Sequence, residues 1–448
     1  MNGVARFPWV LAVAVTALVA APARSQQTHC NATAIEPFSG AYRATDGAMI
    51  SVLPADEGGR LRITHFESGR SHLLFPVAAR TFRSADDLDS EHPVAFRYIF
   101  GQGADGIARS LEIKGAGSRR VTARRVALVD RPAAFTSGGI ELRGRLTMPA
   151  SLRRPARAVV FVHGSDPVAS AGREWLPHLL ASAGVATLVF DKRGTGCSQG
   201  EYVQHFDVLA EDVVAAVRWL ALQPGIDPRR IGLVGFSQGG WVAPLAALKE
   251  PSIRFVAVAY GLAMSMADED RLEAPLKLKE QGVDDASIEE FKALNAALHD
   301  LARTGFRDWA PFEHALERSR GRPWFPVATR QQSWLGVTMQ MGVEQAKAVA
   351  PRMFQDFFQP FYDPVPTLER LNIPMLWLVA GKDMEAPPEP TLEVLARLKR
   401  QGRILTVKTF PDADHGIQDF EVRNGRRVRT RFSDGYFSTL RGWVLQAR

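Results

Sequence analysis

The sequence predicts an α/β protein: a mostly parallel sheet flanked by helices, preceded by a small β-rich domain and interrupted late by a helical insertion. Three observations carry this. From Thr136 onward, apolar runs of strand length alternate with segments of helical period. Between Glu36 and about Arg125, short alternating runs are instead separated by turn signals. A stretch from about 262 to 366, rich in helix formers and aromatic residues, then breaks the strand–helix alternation.

The elements follow in chain order. Met1–Arg6 carries one positive charge, Phe7–Ala21 is almost wholly apolar, and small residues follow in AAPARSQQ, so residues 1–25 read as a signal peptide cleaved after Ala23 or Ser25. A membrane anchor needs roughly 20 apolar residues; this run is shorter and ends at Pro22 and Arg24. The expected location is therefore periplasmic or secreted, without a stable membrane span. Residues 36–125 form the β-rich domain, through runs such as GAMISVL, GRLRITHF and VAFRYIF separated by DEGG, ESGR and GQGADG. Residues 126–448 form the second domain. Within it TSGGIELRGRLTMP reads as a hairpin, RAVVFVHG as a strand buried on both faces, and GVATLVFD, RIGLVGF and RFVAVAYG as further strands. LAEDVVAAVRWLAL and Gly239–Leu248 read as helices between them.

Composition excludes several functions. The net charge of +7 is spread along the chain, without a basic block interleaved with aromatics, so no nucleic-acid partner is expected. The two cysteines, Cys30 and Cys197, lie far apart in the chain, and nothing in the sequence brings them together. His65, His72 and His92 have no matching cysteine or carboxylate cluster, so no metal site is expected, and no organic cofactor is implied. The sequence does not set an oligomeric state.

The chemistry gathers around GFSQGG, residues 235–240. Ser237 sits where a strand meets a helix, and Gly235 and Gly239 relieve the crowding of a sharp turn that projects the serine oxygen above the sheet edge. A serine hydroxyl needs a base, itself oriented by an acid. His415 follows the strand ILTVKTF, and Asp383 ends the strand IPMLWLVAG, with Glu385 as the alternative acid. The oxyanion donors are expected to be the backbone N–H groups of Gln238 and of Ser165, the latter in the loop HGSDP. His163 would organise that loop, and Asp191 and Arg193 would pair to fix the neighbouring loop FDKRGTGCSQG.

Together VVFVHGSDP, FDKRGTGCSQG, AEDVVAAVRWL, RIGLVGFSQGG, WLVAGKD and FPDADHG resemble the α/β-hydrolase superfamily, in its serine aminopeptidase-like and esterase/lipase-like branch. The resemblance covers roughly residues 130–260 and 366–448 and implies the α/β-hydrolase fold with a helical lid insertion. It implies Ser237 as nucleophile, His415 as base, Asp383 as orienting acid, and the amides of Ser165 and Gln238 as oxyanion donors. Asp166 departs from the glycine that many relatives have there and puts a carboxylate near the oxyanion loop. The expected activity is hydrolysis of a carboxylic ester or thioester by a small-molecule-directed serine hydrolase, with a short-peptide exopeptidase and a non-catalytic binding scaffold as alternatives. Aromatics of the insertion, Trp309, Trp324, Trp334 and Phe354 among them, are expected to form mainly its own core. The acidic run 268–270 is expected to be a solvated helix start.

Overall fold

Regular turn chemistry from Gly40 onward brings each short strand back beside its predecessor, and in the computed structural model the series closes on itself. Residues 37–447 are described, apart from 56–59, 86, 89, 91–95, 116–119 and 153. Residues 1–25, expected to be a signal peptide, and Cys30 and His92 lie outside the described residues. Strands β1–β8 (Gly40–Ala44, Met49–Pro54, Leu61–His65, Ser71–Ala78, Thr81–Ser84, Arg97–Gln102, Ala108–Lys114 and Val121–Arg125) form a closed antiparallel barrel. Closure comes from β8 pairing with β1, Arg125 opposite Tyr42 and Ala123 opposite Ala44, so no edge strand is left. Tyr42, Val52, Ile63, Leu74, Phe100 and Leu111 fill the interior.

The second domain is an eight-stranded mixed sheet. Its strands are β9 (Leu128–Ser137), β10 (Ile140–Pro149), β11 (Ala156–Val162), β12 (Ala186–Phe190), β13 (Ile226–Phe236), β14 (Val256–Ala259), β15 (Met375–Ala380) and β16 (Leu405–Phe410), in the order β16-β15-β14-β13-β11-β12-β10-β9. The β9–β10 hairpin turns on Gly138 and Gly139 with φ of 55° and 81°, a pair of left-handed residues that only glycines adopt without strain. From β12 to β16 the neighbours are parallel, and alternate residues point to opposite faces. Val160 and Val162 pack with α2 (Phe206–Ala221), α3 (Gly239–Lys249) and α11 (Pro388–Arg400). Val159 and Phe161 pack on the other face with α1 (Leu176–Ala181) and α12 (Tyr436–Gln446).

That second face also takes in the barrel. Met49, Phe66 and Leu88 belong to the same buried cluster as Leu179 and Phe437, and Phe66 meets Phe437 edge-on at 5.2 Å. Ser51 Oγ bonds His178 Nδ1 at 2.7 Å in the buried interface, and Arg423 reaches Asp87 at 2.8 Å. The barrel is thus packed into the core of the second domain.

Between β14 and β15 lies the helical insertion: α4 (Met266–Glu280), α5 (Asp285–Arg303), α6 (Ala310–Ser319), α7 (Phe325–Ala328), α8 (Trp334–Met341), α9 (Val343–Arg352), a π-helical turn (Met353–Phe357) and α10 (Val365–Arg370). Its aromatics do form a core of their own, with Phe291, Phe312, Trp324 and Trp334 buried together. The acidic run at the start of α4 divides: Ser265 caps the helix by accepting from the Asp268 amide, whereas Asp270 is buried, contrary to the expected solvated face. Asp270 accepts from Asn295 Nδ2 (3.1 Å) and the Trp334 amide (2.8 Å) and bonds His299 Nε2 (2.8 Å), a network that ties α4, α5 and α8 together.

After β16 the chain adds a feature that the strand count did not anticipate. Three short strands, β17 (Ala413–Asp414), β18 (Gln418–Arg423) and β19 (Arg426–Phe432), make a small antiparallel sheet around an Asn424–Gly425 turn. The signal was present in NG between two charged, alternating runs.

Candidate active site

Ser237 follows the last residue of β13 with φ of 48°, a left-handed backbone that costs a serine of order 1–3 kcal/mol and is tolerated where surrounding structure fixes it. The fixing contacts are close. A Cβ added at Gly239 would lie 2.3 Å from the Val162 carbonyl oxygen, and one at Gly235 would lie 2.5 Å from the Gly239 oxygen. The Ser237 amide donates to Ala259 O (3.1 Å), and the Gly240 amide to Ser237 O (2.7 Å). Helix α3 therefore begins directly behind the serine, with its N-terminal amides and positive dipole end toward it.

Asp383 and His415 come from the ends of the two strands beyond β14. The Asp383 carboxylate is buried and accepts from His415 Nδ1 at 2.9 and 3.1 Å, and from the amides of Glu385 (2.9 Å) and Ala386 (2.8 Å). Of the two acids left open by the sequence, Asp383 is the one behind the imidazole. Glu385 stands on the other side, its carboxylate 3.7 Å from His415 Nε2. Ser237 Oγ has no hydrogen-bond partner among the described residues, so the structure joins Asp383 to His415 but leaves the serine outside that pair. Tyr260, itself at φ of 43°, spans the gap: its ring packs edge-on to His415 at 4.9 Å and stacks on Phe236 at 5.8 Å.

These contacts set the charge of the imidazole. Burial disfavours its protonated form, but the carboxylates of Asp383 and Glu385 outweigh that and raise its pKa to about 10. Glu269 and Glu273 of α4 lie in the same surroundings and respond to them. Burial and Glu273 push Glu269 well above the ordinary carboxylate range, while burial raises Glu273 to about 7 against the pull of its partner Lys277.

The loop after β11 passes against the serine, with a Cβ built on Gly164 only 3.4 Å from Ser237 Cβ. Side-chain hydrogen bonds tie the loop to its surroundings at three points. His163 Nε2 bonds Phe190 O (2.7 Å), Lys192 Nζ donates to Gly164 O (2.6 Å), and the Tyr202 hydroxyl donates to Ser165 O. The amides of Ser165 and Gln238 donate to no acceptor among the described residues. His163 behaves as expected, organising the loop, and burial pushes its pKa down to about 3, which keeps it neutral. Burial likewise lowers Lys192 to about 7, with Asp166 opposing the shift.

Lys192 and Tyr202 escaped the sequence reading, because nothing local ties them to HGSDP. The expected pairing of Asp191 with Arg193 is not found. Asp191 accepts from the amides of Ser170, Ala171 and Cys197, and Arg193 forks onto buried Asp212 at 2.6 and 2.8 Å. Backbone amides already satisfy the aspartate, so the arginine is free to hold α2. Arg427, on the unanticipated hairpin, connects the acid loop at Lys382 O (2.6 Å), the histidine loop at Asp414 (3.1 Å) and α4 at Glu280 (3.2 Å).

A cavity of about 220 Å³ opens beside the serine, lined by His163, Gly164, Asp166, Glu174, Phe236 and Tyr260 among others. Among the described residues no group of three or more histidine, cysteine, aspartate or glutamate side chains is arranged to hold a metal ion. Removing the Tyr202 hydroxyl in Tyr202→Phe should release the Ser165 carbonyl and lower kcat about tenfold with little change in KM, since the fixed amide acts on developing charge rather than on bound substrate. Steady-state kinetics on any turned-over substrate checks this.

A thiohydrolase of Aspergillus aculeatus is 36% identical over 124 residues, 27% of this chain and 38% of that protein, so the chain spans well under half the length of that relative. A 31.7 kDa protein from the traX-finO intergenic region of Escherichia coli is 24% identical over 262 residues, 56% of this chain and 80% of that one. Among solved structures, an acylaminoacyl peptidase of Pyrococcus horikoshii superposes with a TM-score of 0.41 at 18% identity, covering 82% of this chain and 52% of that one. The esterase Pf2001 of Pyrococcus furiosus gives 0.40 at 15% identity, covering 64% and 85%. The model of the alpha/beta hydrolase family matches residues 159–424, which hold the strained serine turn, the loop after β11, the helical insertion and the Asp383–His415 pair, and the chain belongs to that family.

Proposed function

We propose that this chain is an exported serine hydrolase that cleaves a carboxylic ester or thioester of a modest apolar acyl group through an acyl-enzyme. Ser237 Oγ attacks the substrate carbonyl while His415 Nε2 takes its proton, and the imidazolium returns that proton to the leaving alkoxide or thiolate. Water activated by the same imidazole then releases the acid and frees the serine. Asp383 holds the ring through Nδ1, and the amides of Ser165 and Gln238 receive the oxyanion. The observation that carries this reading is the conjunction of the left-handed Ser237 at the head of α3 with the buried Asp383–His415 hydrogen bonds at the neighbouring strand ends. The 36% identity to a thiohydrolase over 124 residues supports the thioester choice. Export rests on the layout of residues 1–25.

The insertion would serve as a lid. Phe357 packs against Tyr202 at 5.7 Å, and Glu280 of α4 is held by Arg427, so the two ends of the insertion flank the serine. One observation favours a second reading: Asp166 lines the cavity and Glu385 stands beside His415, carboxylates that suit the ammonium group of an exopeptidase substrate. A panel of p-nitrophenyl esters, acyl thioesters and aminoacyl-anilides separates the two. Faster turnover of acyl thioesters and esters supports the first; preferential turnover of aminoacyl-anilides would replace it with the second.

A further inference from the structure

At the opposite end of the sheet from Ser237, where β11, β13 and β14 begin, four arginines converge on one cavity. Arg157 enters at the start of β11, Arg229 and Arg230 lie on β13, and Arg254 stands two residues before β14. With Phe255 and Ala447 they line a space of about 390 Å³ that contains no acidic side chain among its lining residues. Arg230 lies seven residues before Ser237 on the same strand, a separation of about 23 Å at the usual rise per residue. The two sites are therefore physically distinct.

The cavity has a built wall. Arg157 is 7% exposed, its Nη1 donates to Val444 O at 2.7 Å and to Ala447 O, and its guanidinium lies 5.3 Å from the centre of the Phe255 ring. It is thus locked in place as the cap of α12. Its buried Nε has no partner among the described residues. Burial and the charge of Arg230 both work against the Arg157 cation. The side chains of Arg230 and Arg254 have no hydrogen bond or ion pair among the described residues, and the Arg229 side chain reaches only Asp227, at 3.5 Å. Guanidiniums gathered around a cavity attract oxyanions, because their forked donors match two oxygens at once.

We infer that this cavity is an anion-binding site, separate from the serine site, for a multiply charged oxyanion of the phosphate class, either free or as the headgroup of a lipid. Three cations would close on the ligand from separate strands, with Arg157 as the fixed back wall and Arg230 and Arg254 as the adjustable donors.

The test uses the full chain in low-salt buffer, with inorganic phosphate followed by titration calorimetry and with phosphatidylglycerol–phosphatidylcholine vesicles followed by co-sedimentation. Saturable phosphate binding that weakens with added salt is expected if the ligand is free. Vesicle binding that inorganic phosphate displaces is expected if it is a headgroup. Because Arg157 also caps α12, the informative variants are Arg230→Gln and Arg254→Gln, each expected to weaken binding about tenfold for one charge-assisted hydrogen bond lost. Circular dichroism and ester turnover should stay as in the parent, and Arg426→Gln on the distant hairpin should not affect binding. The inference is overturned if neither phosphate nor the vesicles bind saturably, or if the Arg230→Gln and Arg254→Gln variants bind as tightly as the parent.

Discussion

Replacing Asp383 by asparagine is expected to lower kcat for a p-nitrophenyl ester by about four orders of magnitude, because an amide behind Nδ1 stabilises the wrong tautomer and cannot balance the imidazolium formed during attack. Glu385→Gln should leave turnover within about tenfold of the parent, since Glu385 faces Nε2 from a side chain that is 56% exposed. The two variants differ also in pH dependence. His415 must be neutral to accept the serine proton, so kcat/KM rises with pH through the imidazole pKa, and Asp383 and Glu385 hold that pKa at about 10, far above the ordinary imidazole value. The acid limb of the parent profile should therefore lie on the alkaline side. Removing the Glu385 charge lowers the pKa, so the limb should move to lower pH, and added salt should move the parent limb the same way by screening the exposed carboxylate. Full activity in Asp383→Asn with loss in Glu385→Gln would reverse the assignment of the acid.

The second large effect concerns the turn itself. In Gly239→Ala the new methyl group would sit 2.3 Å from a backbone oxygen of β11, Val162 O, with no flexible side chain to give way. Either α3 or β11 must move. A loss of about 3 kcal/mol is expected from overpacking of this kind, measured as a lower urea midpoint at constant m-value. Activity should fall further than stability explains, because shifting α3 also moves Ser237 and the Gln238 amide. A Gly239→Ala protein with the parent midpoint and the parent kcat would show that the serine turn does not depend on this close approach.

How far the sequence carries this molecule depends on the range of the interaction. The serine turn is local: a strand, two glycines and a helix start within a dozen residues, and β13, Ser237 and α3 fall where that pattern puts them. Asp383 and His415 are legible because each ends an apolar strand run, and parallel strands in one sheet bring such ends to the same edge. Barrel closure is not local. The runs from Glu36 to Arg125 announce antiparallel strands, but the pairing of β8 with β1 depends on the summed twist and stagger of all eight. The supports of the loop after β11 are equally distant: Lys192 and Tyr202 reach Gly164 and Ser165 from the next loop, and only the fold gives them carbonyls to hold. Arg193 shows the converse error, since adjacency in FDKRG suggested Asp191 as its partner while α2 offered Asp212. The carboxylates of α4 near His415 belong to the same class, because which face of an inserted helix meets the site is decided by packing within the insertion.

The central claim is that Ser237 is an activated nucleophile, and labelling the purified protein with a fluorophosphonate, followed by mass-spectrometric mapping of the adduct, tests it most directly. The expected result is a single adduct on Ser237 that forms faster as pH rises and is absent from Ser237→Ala. Folded protein that takes up no label at alkaline pH, or takes it up elsewhere with Ser237 untouched, would contradict the account.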